Sequence, residues 1–326
     1  YSPNRGFIEL REEICKWLKR HYHIEYEPKT DVVVTVGGSE AIDLCIRCLV
    51  SPGDEVLIPE PCFVCYKPLT QIAEGVPVTI QTKQEDNFRL TAKALKEKIT
   101  PKSKLLILPF PNNPTGAVMR RKDLEEIAEV VKENNLIVLS DEIYSELTYG
   151  ETRHVSISSI EGMKERTVVI NGFSKAFAMT GWRLGYAVGP KEIIKQMTKL
   201  HQYGIMSAPT VSQYAAIEAM KNGDSDINYM REQYDMRRRL IVNGFNKMGL
   251  TCFEPEGAFY VFPCIKSTGM TSEEFCEKLI YSERVAVVPG SAFGDCGEGY
   301  LRVSYSYSIK HITEALSRIE HFIKSL

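Results

Sequence analysis

The sequence predicts an α/β fold carried by a seven-stranded, mostly parallel sheet. Three observations lead there. Seven short apolar or β-branched runs occur in order, at 32–36, 55–59, 76–80, 105–109, 136–140, 167–170 and 184–188, and continuous runs of this kind mark strands buried on both faces. Helical patterns separate the first six, which makes βαβ units and parallel pairing. Only about a dozen residues part Ile170 from Leu184, which is marginal for a parallel crossover. The seventh strand is therefore expected to run antiparallel to its neighbour. Beyond Gly189 the pattern turns helical and then mixed, so the expected division is a large domain over 1–225 and a smaller C-terminal α+β domain over 226–326.

Taken in order, residues 1–22 place Phe7, Ile8, Leu10, Ile14, Trp17 and Leu18 at helical spacing with charges between them. Thr35-Val36-Gly37-Gly38-Ser39-Glu40-Ala41 then joins the first strand to a helix. Glycines let backbone come close to a ligand, Ser39 is able to cap, and a helix N-terminus attracts anions. The fourth strand runs into Pro109-Phe110-Pro111-Asn112-Asn113-Pro114-Thr115-Gly116, where two prolines are expected to keep the backbone extended and Gly116 allows a turn. Asp123 is expected to cap an amphipathic helix that ends near Asn134 and Asn135. The fifth run ends in Asp141, which aims a carboxylate into the crevice where open α/β sheets bind ligands. A charged helix over 229–248 carries the chain into the second unit. There, 256–262 reads as a turn and strand, 285–289 as a strand before a Gly-rich loop at 290–294, and 300–304 as a strand before a closing helix.

Composition is that of an ordinary globular chain of 326 residues, 44% hydrophobic and 25% charged. Net charge is −2 with the two signs interspersed, which leaves no footprint for nucleic acid or an anionic membrane surface. No apolar run approaches the length of a transmembrane helix. Nine cysteines, an odd number, favour reduced thiols and a cytoplasmic setting over a disulfide framework. Cys45 and Cys48 with Cys62 and Cys65 have zinc-ribbon spacing, but the first pair sits in a nearly all-apolar helical segment where free Cys behaves as a small hydrophobe. His21 and His23 lack further ligands, so no metal is expected.

The stretch 172–185, GFSKAFAMTGWRLG, follows a buried strand. Lys175 stands there between the small residues Ser174 and Ala176, and Arg183 follows eight residues later. A lysine and an arginine at the mouth of a sheet suit an aldehyde cofactor that carries a phosphate: the lysine forms a Schiff base and the arginine grips the phosphate. The stretch resembles the lysine-attachment motif of class I aminotransferases, members of the fold-type-I superfamily that uses pyridoxal 5'-phosphate. Further family motifs follow one another along essentially the whole chain.

The resemblance implies the fold-type-I architecture, with helices on both sides of the sheet, and a set of roles. Lys175 holds the cofactor, Asp141 pairs with its ring nitrogen, and Tyr144 and Asn113 donate to its ring oxygen. Phe63 stacks on the ring, in a Pro-x-Pro-aromatic-aromatic-x-x-Tyr pattern whose first aromatic is here Cys62. Gly38, Ser39, Glu40, Ser174 and Arg183 hold the phosphate, the first three chiefly by backbone N–H. Arg302, the one charge in its short apolar strand, takes the substrate α-carboxylate with Asn113. Tyr1 is expected to reach the phosphate of a partner subunit in a homodimer, with the family's N-terminal arm missing upstream of it. Many relatives keep a serine where this chain has Gly172, so Ser174 is the hydroxyl available.

The expected function is amino transfer between an L-amino acid and a 2-oxo acid, aspartate aminotransferase-like, with no nucleic-acid or membrane partner. Relatives specialised for acidic side chains can place a lysine where Ser39 stands, which argues against a strict aspartate enzyme. A C–S β-lyase of the same fold would use the same Lys, Asp, Tyr and Arg. A transcription regulator with an aminotransferase-like sensor would need a DNA-binding module upstream of Tyr1.

Overall fold

The structure is a computed structural model that describes residues 2–326; Tyr1 lies outside them. Seven strands form one sheet: β1 (Val32–Thr35), β2 (Glu55–Glu60), β3 (Val76–Gln81), β4 (Ser103–Leu108), β5 (Ile137–Asp141), β6 (Thr167–Gly172) and β7 (Gly185–Val188). Their spatial order is β1-β7-β6-β5-β4-β2-β3. The pairs among β2 to β6 are parallel, and β7 runs antiparallel to both β1 and β6. All seven expected strands form, and the short connection into the seventh reverses its direction as expected.

Alternation along each strand decides which helices cover it. Val33, Leu105, Ile107, Val168 and Ile170 face α2 (Gly38–Leu49), α3 (Tyr66–Ile72) and α6 (Lys191–Gly204). Their neighbours face the other way. Val32, Val34 and Val169 pack on α1 (Ile8–Tyr22) and α7 (Thr210–Asn222), while Leu106, Leu108 and Val138 pack on α4 (Ala92–Lys96) and α5 (Arg121–Glu133). Both faces are thus apolar, which is why the strands read as continuous runs.

A second, three-stranded antiparallel sheet has the order β8-β10-β9, from β8 (Tyr260–Val261), β9 (Val288–Pro289) and β10 (Leu301–Ser304). It packs with α8 (Asp224–Lys247), α9 (Ser272–Glu283) and α10 (Ile309–Lys324) around Phe245, Phe275, Leu301 and Phe322. Among the described residues no helix is long and apolar enough to cross a membrane.

Four local expectations are corrected. The β5–β6 connection has no α-helix; it holds only 3₁₀ turns at Ile157–Ser159 and Lys164–Arg166, in a serine- and glycine-containing segment whose side chains compete for backbone partners. Asp123 does not cap α5 from outside. It is the third residue of the helix, and its carboxylate accepts the Arg120 N–H at 2.8 Å, the reciprocal half of a capping box. Phe110–Pro111 is a cis peptide rather than extended trans backbone, an isomer that X–Pro bonds tolerate. Finally, the loop at 290–294 tightens into a 3₁₀ turn, Gly290–Phe293, and the strand before it shortens to Val288–Pro289.

Strand direction positions the site. The C-terminal ends of β1, β2, β4, β5 and β6 lie along one edge. Because β7 runs the other way, its first residue shares that edge, with Thr35 beside Gly185. Contact there is close: a Cβ on Gly185 would lie 2.5 Å from the Gly37 carbonyl carbon and 2.6 Å from the Gly38 nitrogen. Neither backbone atom can swing aside. Gly185→Ala is therefore expected to destabilise the chain by about 1–3 kcal/mol, as overpacking does. A urea midpoint unchanged from that of the parent would show that the β1–α2 turn has room to move.

Candidate active site

One pocket opens at this edge, and its lining includes Gly38, Ser39, Phe63, Asn113, Asp141, Tyr144, Ser174, Lys175 and Arg183. Nine of the residues expected from the sequence thus meet in one place. They come from six separate chain segments, so no local feature of the sequence brings them together. Glu40 is not in the wall. Its carboxylate accepts the Val36 N–H and meets His201 Nδ1 at 2.6 Å, which leaves only its backbone N–H for a ligand. Tyr1 lies outside the described residues.

Lys175 stands in the turn after β6. Its ammonium lies 5.4 Å from the centre of the Phe259 ring and 5.8 Å from that of Tyr144. Burial lowers its pKa, and the nearby Arg183 and Arg302 lower it further, against the opposing pull of Asp141. Burial and the two arginines favour the free amine. Arg183 adopts φ +49°, and its side chain donates to the Thr180 carbonyl at 2.9 Å. A Cβ on Gly37, itself at φ +79°, would come within 2.6 Å of Arg183 Nη2. The left-handed φ favours glycine at 37, and the guanidinium occupies the space beside the start of α2 that a side chain there would take. Helix α2 has no side-chain cap at its N-terminus, so its first N–H groups remain available at the pocket wall.

Asp141 ends β5, buried. Tyr66 donates its hydroxyl to one carboxylate oxygen at 2.7 Å, and the Ile143 N–H donates to the other at 3.2 Å. Burial still dominates and pushes the Asp141 pKa up to about 6, although both hydrogen bonds and Lys175 act against it. The Tyr144 hydroxyl lies 3.1 Å from that of Tyr260. Burial, and then Tyr260, raise the Tyr144 pKa.

Asn112 and Asn113 divide the labour of their turn. Asn112 is buried, and its side-chain oxygen accepts both the N–H and the hydroxyl of Thr115. Asn113 faces the pocket. Arg302 donates to its Oδ1 at 3.1 Å, which fixes the amide's orientation and leaves Nδ2 as a donor. The Arg302 guanidinium lies 4.7 Å from both the Tyr260 and Phe293 ring centres, and its Nε is buried without a partner. Among the described residues, no carboxylate forms an ion pair with Lys175, Arg183 or Arg302; the internal salt bridge that would otherwise account for Arg302 is absent.

Gly172 has a packing reason. A Cβ there would meet the Gly185 Cα and the Leu184 carbonyl, both at 3.0 Å. A serine would press on the neighbouring strand. Ser174 is the hydroxyl that reaches the wall. Sequence reasoning missed Tyr66, Tyr260, Gly37 and His201. Tyr66 had a signal, since it closes the Pro-x-Pro pattern three residues after Phe63. Tyr260 and His201 had none, because each acts across more than a hundred residues of chain.

The raised Asp141 pKa has a consequence for stability. The folded chain holds this proton to higher pH than the unfolded chain, whose carboxyl titrates near 4. The site therefore stabilises the fold below about pH 4, and the contribution is lost as pH climbs through about 6. The loss is at most about 3 kcal/mol for two pKa units. In urea unfolding of the chain stripped of bound small molecules, the parent should lose stability relative to Asp141→Asn between about pH 4 and about pH 8. Parallel pH profiles would show that Asp141 ionises normally.

Comparison with known proteins adds three findings. Residues 1–319 match the family described as "Aminotransferase class I and II". The chain is 46% identical over 326 residues to an aspartate aminotransferase of Pyrococcus abyssi, covering 99% of this chain and 84% of that one. It is 45% identical to aromatic-amino-acid aminotransferase 2 of Thermococcus litoralis, with the same coverage. The crystal structure of an aromatic aminotransferase from Pyrococcus horikoshii superposes with a TM-score of 0.98 at 47% identity, over 100% of this chain and 88% of that one.

Proposed function

This chain belongs to the class I and II aminotransferases and is an amino-acid aminotransferase; we propose that it works with pyridoxal 5'-phosphate at Lys175, moving an amino group from an L-amino acid to a 2-oxo acid. The observation that carries this reading is the charge pattern. Lys175 and Arg183 line a pocket whose wall holds one buried carboxylate, Asp141, and Arg302 meets that wall through Asn113; among the described residues none of the three cations has a carboxylate ion-pair partner.

The residues suit the cofactor. An uncapped helix start, a glycine cradle that admits Arg183, and the Ser174 hydroxyl form a cup for a phosphate dianion. A carboxylate as reluctant to ionise as Asp141 suits a protonated ring nitrogen, which would give it a counter-charge. Phe63 supplies an aromatic wall, and Tyr144 and Asn113 Nδ2 supply donors for a ring oxygen. When bound, the cofactor supplies an electron-withdrawing ring that makes the amino acid's α-proton acidic.

The chain's own groups do the rest. Arg302 and Asn113 receive the substrate α-carboxylate, and the fixed orientation of the Asn113 amide presets both donors. The Tyr260 and Phe293 rings each lie against the guanidinium. Lys175, whose environment favours the free amine, takes the α-proton on Nζ and returns it from there, a role that typically contributes about 10²–10⁴-fold. Tyr66 keeps Asp141 oriented.

Lys175→Ala is expected to abolish transfer, and Arg302→Ala to raise KM for the amino acid far more than it lowers kcat. Near-normal turnover in the first variant, or unchanged KM in the second, would remove the residue from its role. The donor range is proposed to be aspartate aminotransferase-like. A panel of L-amino acids with 2-oxoglutarate tests it, and a full-length protein that moves no amino group from any of them would overturn the reading.

The domain division near residue 225 is proposed too, supported by the cluster around Phe245, Phe275, Leu301 and Phe322. A cytoplasmic setting is likewise proposed, supported by nine unpaired cysteines. We propose a homodimer as well. Trp182, next in the chain to Arg183, and Tyr203, Ile205, Val211 and Tyr214, around the α6–α7 junction, are exposed apolar side chains; the Ser212 hydroxyl donates to the Trp182 carbonyl at 2.8 Å, and a patch of this kind marks an interaction surface. Sedimentation equilibrium should give twice the chain mass; a monomer would overturn this.

A further inference from the structure

Behind the phosphate cup lies a pair, one buried and one half-buried, that the mechanism does not use. His201, in the last turn of α6, is fully buried, and its Nδ1 lies 2.6 Å from one oxygen of Glu40. Against an ionised carboxylate the proton must sit on Nδ1. The other ring nitrogen, Nε2, is buried with no partner. Leaving a buried ring nitrogen orphaned is unfavourable, so the contact with Glu40 is what the site retains in exchange.

Glu40 is the third residue of α2, where an acidic side chain ordinarily folds back onto the N-cap N–H; here that N–H, of Gly37, is taken by the Thr35 carbonyl at 3.0 Å. The unbonded donors nearest to a loose Glu40 carboxylate are then the first N–H groups of α2, the ones that the cup offers to a phosphate. Gly37 has no side chain with which to occupy them. An unrestrained Glu40 carboxylate is thus a built-in competitor: an anion one turn from the site, able to reach the same donors and favoured there by the same helix dipole. In this fold it is held off by two contacts. One oxygen accepts the Val36 N–H, before the turn, and the other is taken by His201 from the neighbouring helix. Glu40 is accordingly absent from the pocket wall that Gly38 and Ser39 line. The Val36 contact also braces the turn, together with the Thr35 hydroxyl, which donates to the Gly37 carbonyl at 2.9 Å.

We infer that His201 is a positioning residue for the cofactor phosphate, acting by holding the Glu40 carboxylate away from the N-terminus of α2. The inference rests on the proposed cofactor and adds a residue outside the pocket to it. The readout is the affinity of the cofactor-stripped full chain for pyridoxal 5'-phosphate compared with pyridoxal, which lacks the phosphate.

His201→Leu should weaken pyridoxal 5'-phosphate by about tenfold, the scale of one charge-assisted hydrogen bond, and leave pyridoxal within about twofold. Glu40→Gln in the same chain removes the competing charge and should restore the phosphate compound to within about threefold of the parent. Damage to packing would not be rescued in this way. Should His201→Leu fail to fold, Glu40→Asp keeps the charge but shortens its reach to His201, and should show the same phosphate-specific loss. Unchanged affinity for pyridoxal 5'-phosphate, an equal loss for both compounds, or no rescue in the double variant would each overturn the inference. A parent chain that binds neither compound would instead overturn the cofactor reading itself.

Discussion

Three cations meet beside one pocket, and among the described residues no carboxylate neutralises any of them. Like charges brought this close and partly buried repel, and burial itself disfavours them. The lowered Lys175 pKa is the direct expression of that cost. An arrangement of this kind persists only if the surrounding structure over-determines it, and anionic ligands then relieve it. Two classes of anion match: a phosphate at Arg183 and the start of α2, and a carboxylate at Arg302 and Asn113. Asp141 is the counterpart, a carboxylate held where ionisation is unfavourable until a cation arrives.

Over-determination comes from backbone contact rather than from salt bridges. Strand β7 is the one strand of the large sheet that runs against its neighbours, and that reversal sets Arg183 at the edge where the other strands end. Gly185 lies directly against Gly37 and Gly38, and Gly172 lies against Gly185. Four glycines in contact let two strands and a helix start converge without side chains between them. The neighbouring guanidinium then fills the space that a Cβ on Gly37 would take. The glycine at 172 belongs to this convergence.

Much of this was legible in the sequence. Strands buried on both faces read as unbroken apolar runs, so all seven were visible, and the short link into the last betrayed its direction. Phe63, Asn113, Asp141 and Lys175 were legible because each ends or shortly follows a strand of the large sheet, and ligands gather where parallel strands end. What failed was local. A crossover of 3₁₀ turns looks like any segment that helices flank, and Asp123 satisfies an N–H whether it caps from outside α5 or from its third position. What went unseen was long-range. Tyr66 on Asp141, Tyr260 on Tyr144, and His201 on Glu40 join groups far apart in the chain, and neither periodicity nor turn chemistry encodes such pairs.

The sequence by itself determined the sheet, the side chains available at its ligand edge and, through the family motifs, the class of chemistry. Those follow from the alternation, the turn residues and the local order of reactive groups. Tertiary structure alone decided the electrostatics: which cations go unpaired, which carboxylate resists ionisation, and which way each carboxylate and amide faces. Asp141 and Glu40 are both acidic residues near a strand's C-terminal end, the first closing β5 and the second in the first turn of the helix after β1. One is turned into the pocket under a tyrosine hydroxyl, and the other is turned away towards a buried histidine. The difference lies in what packs behind each, because desolvation and hydrogen-bond partners act through space and not along the chain.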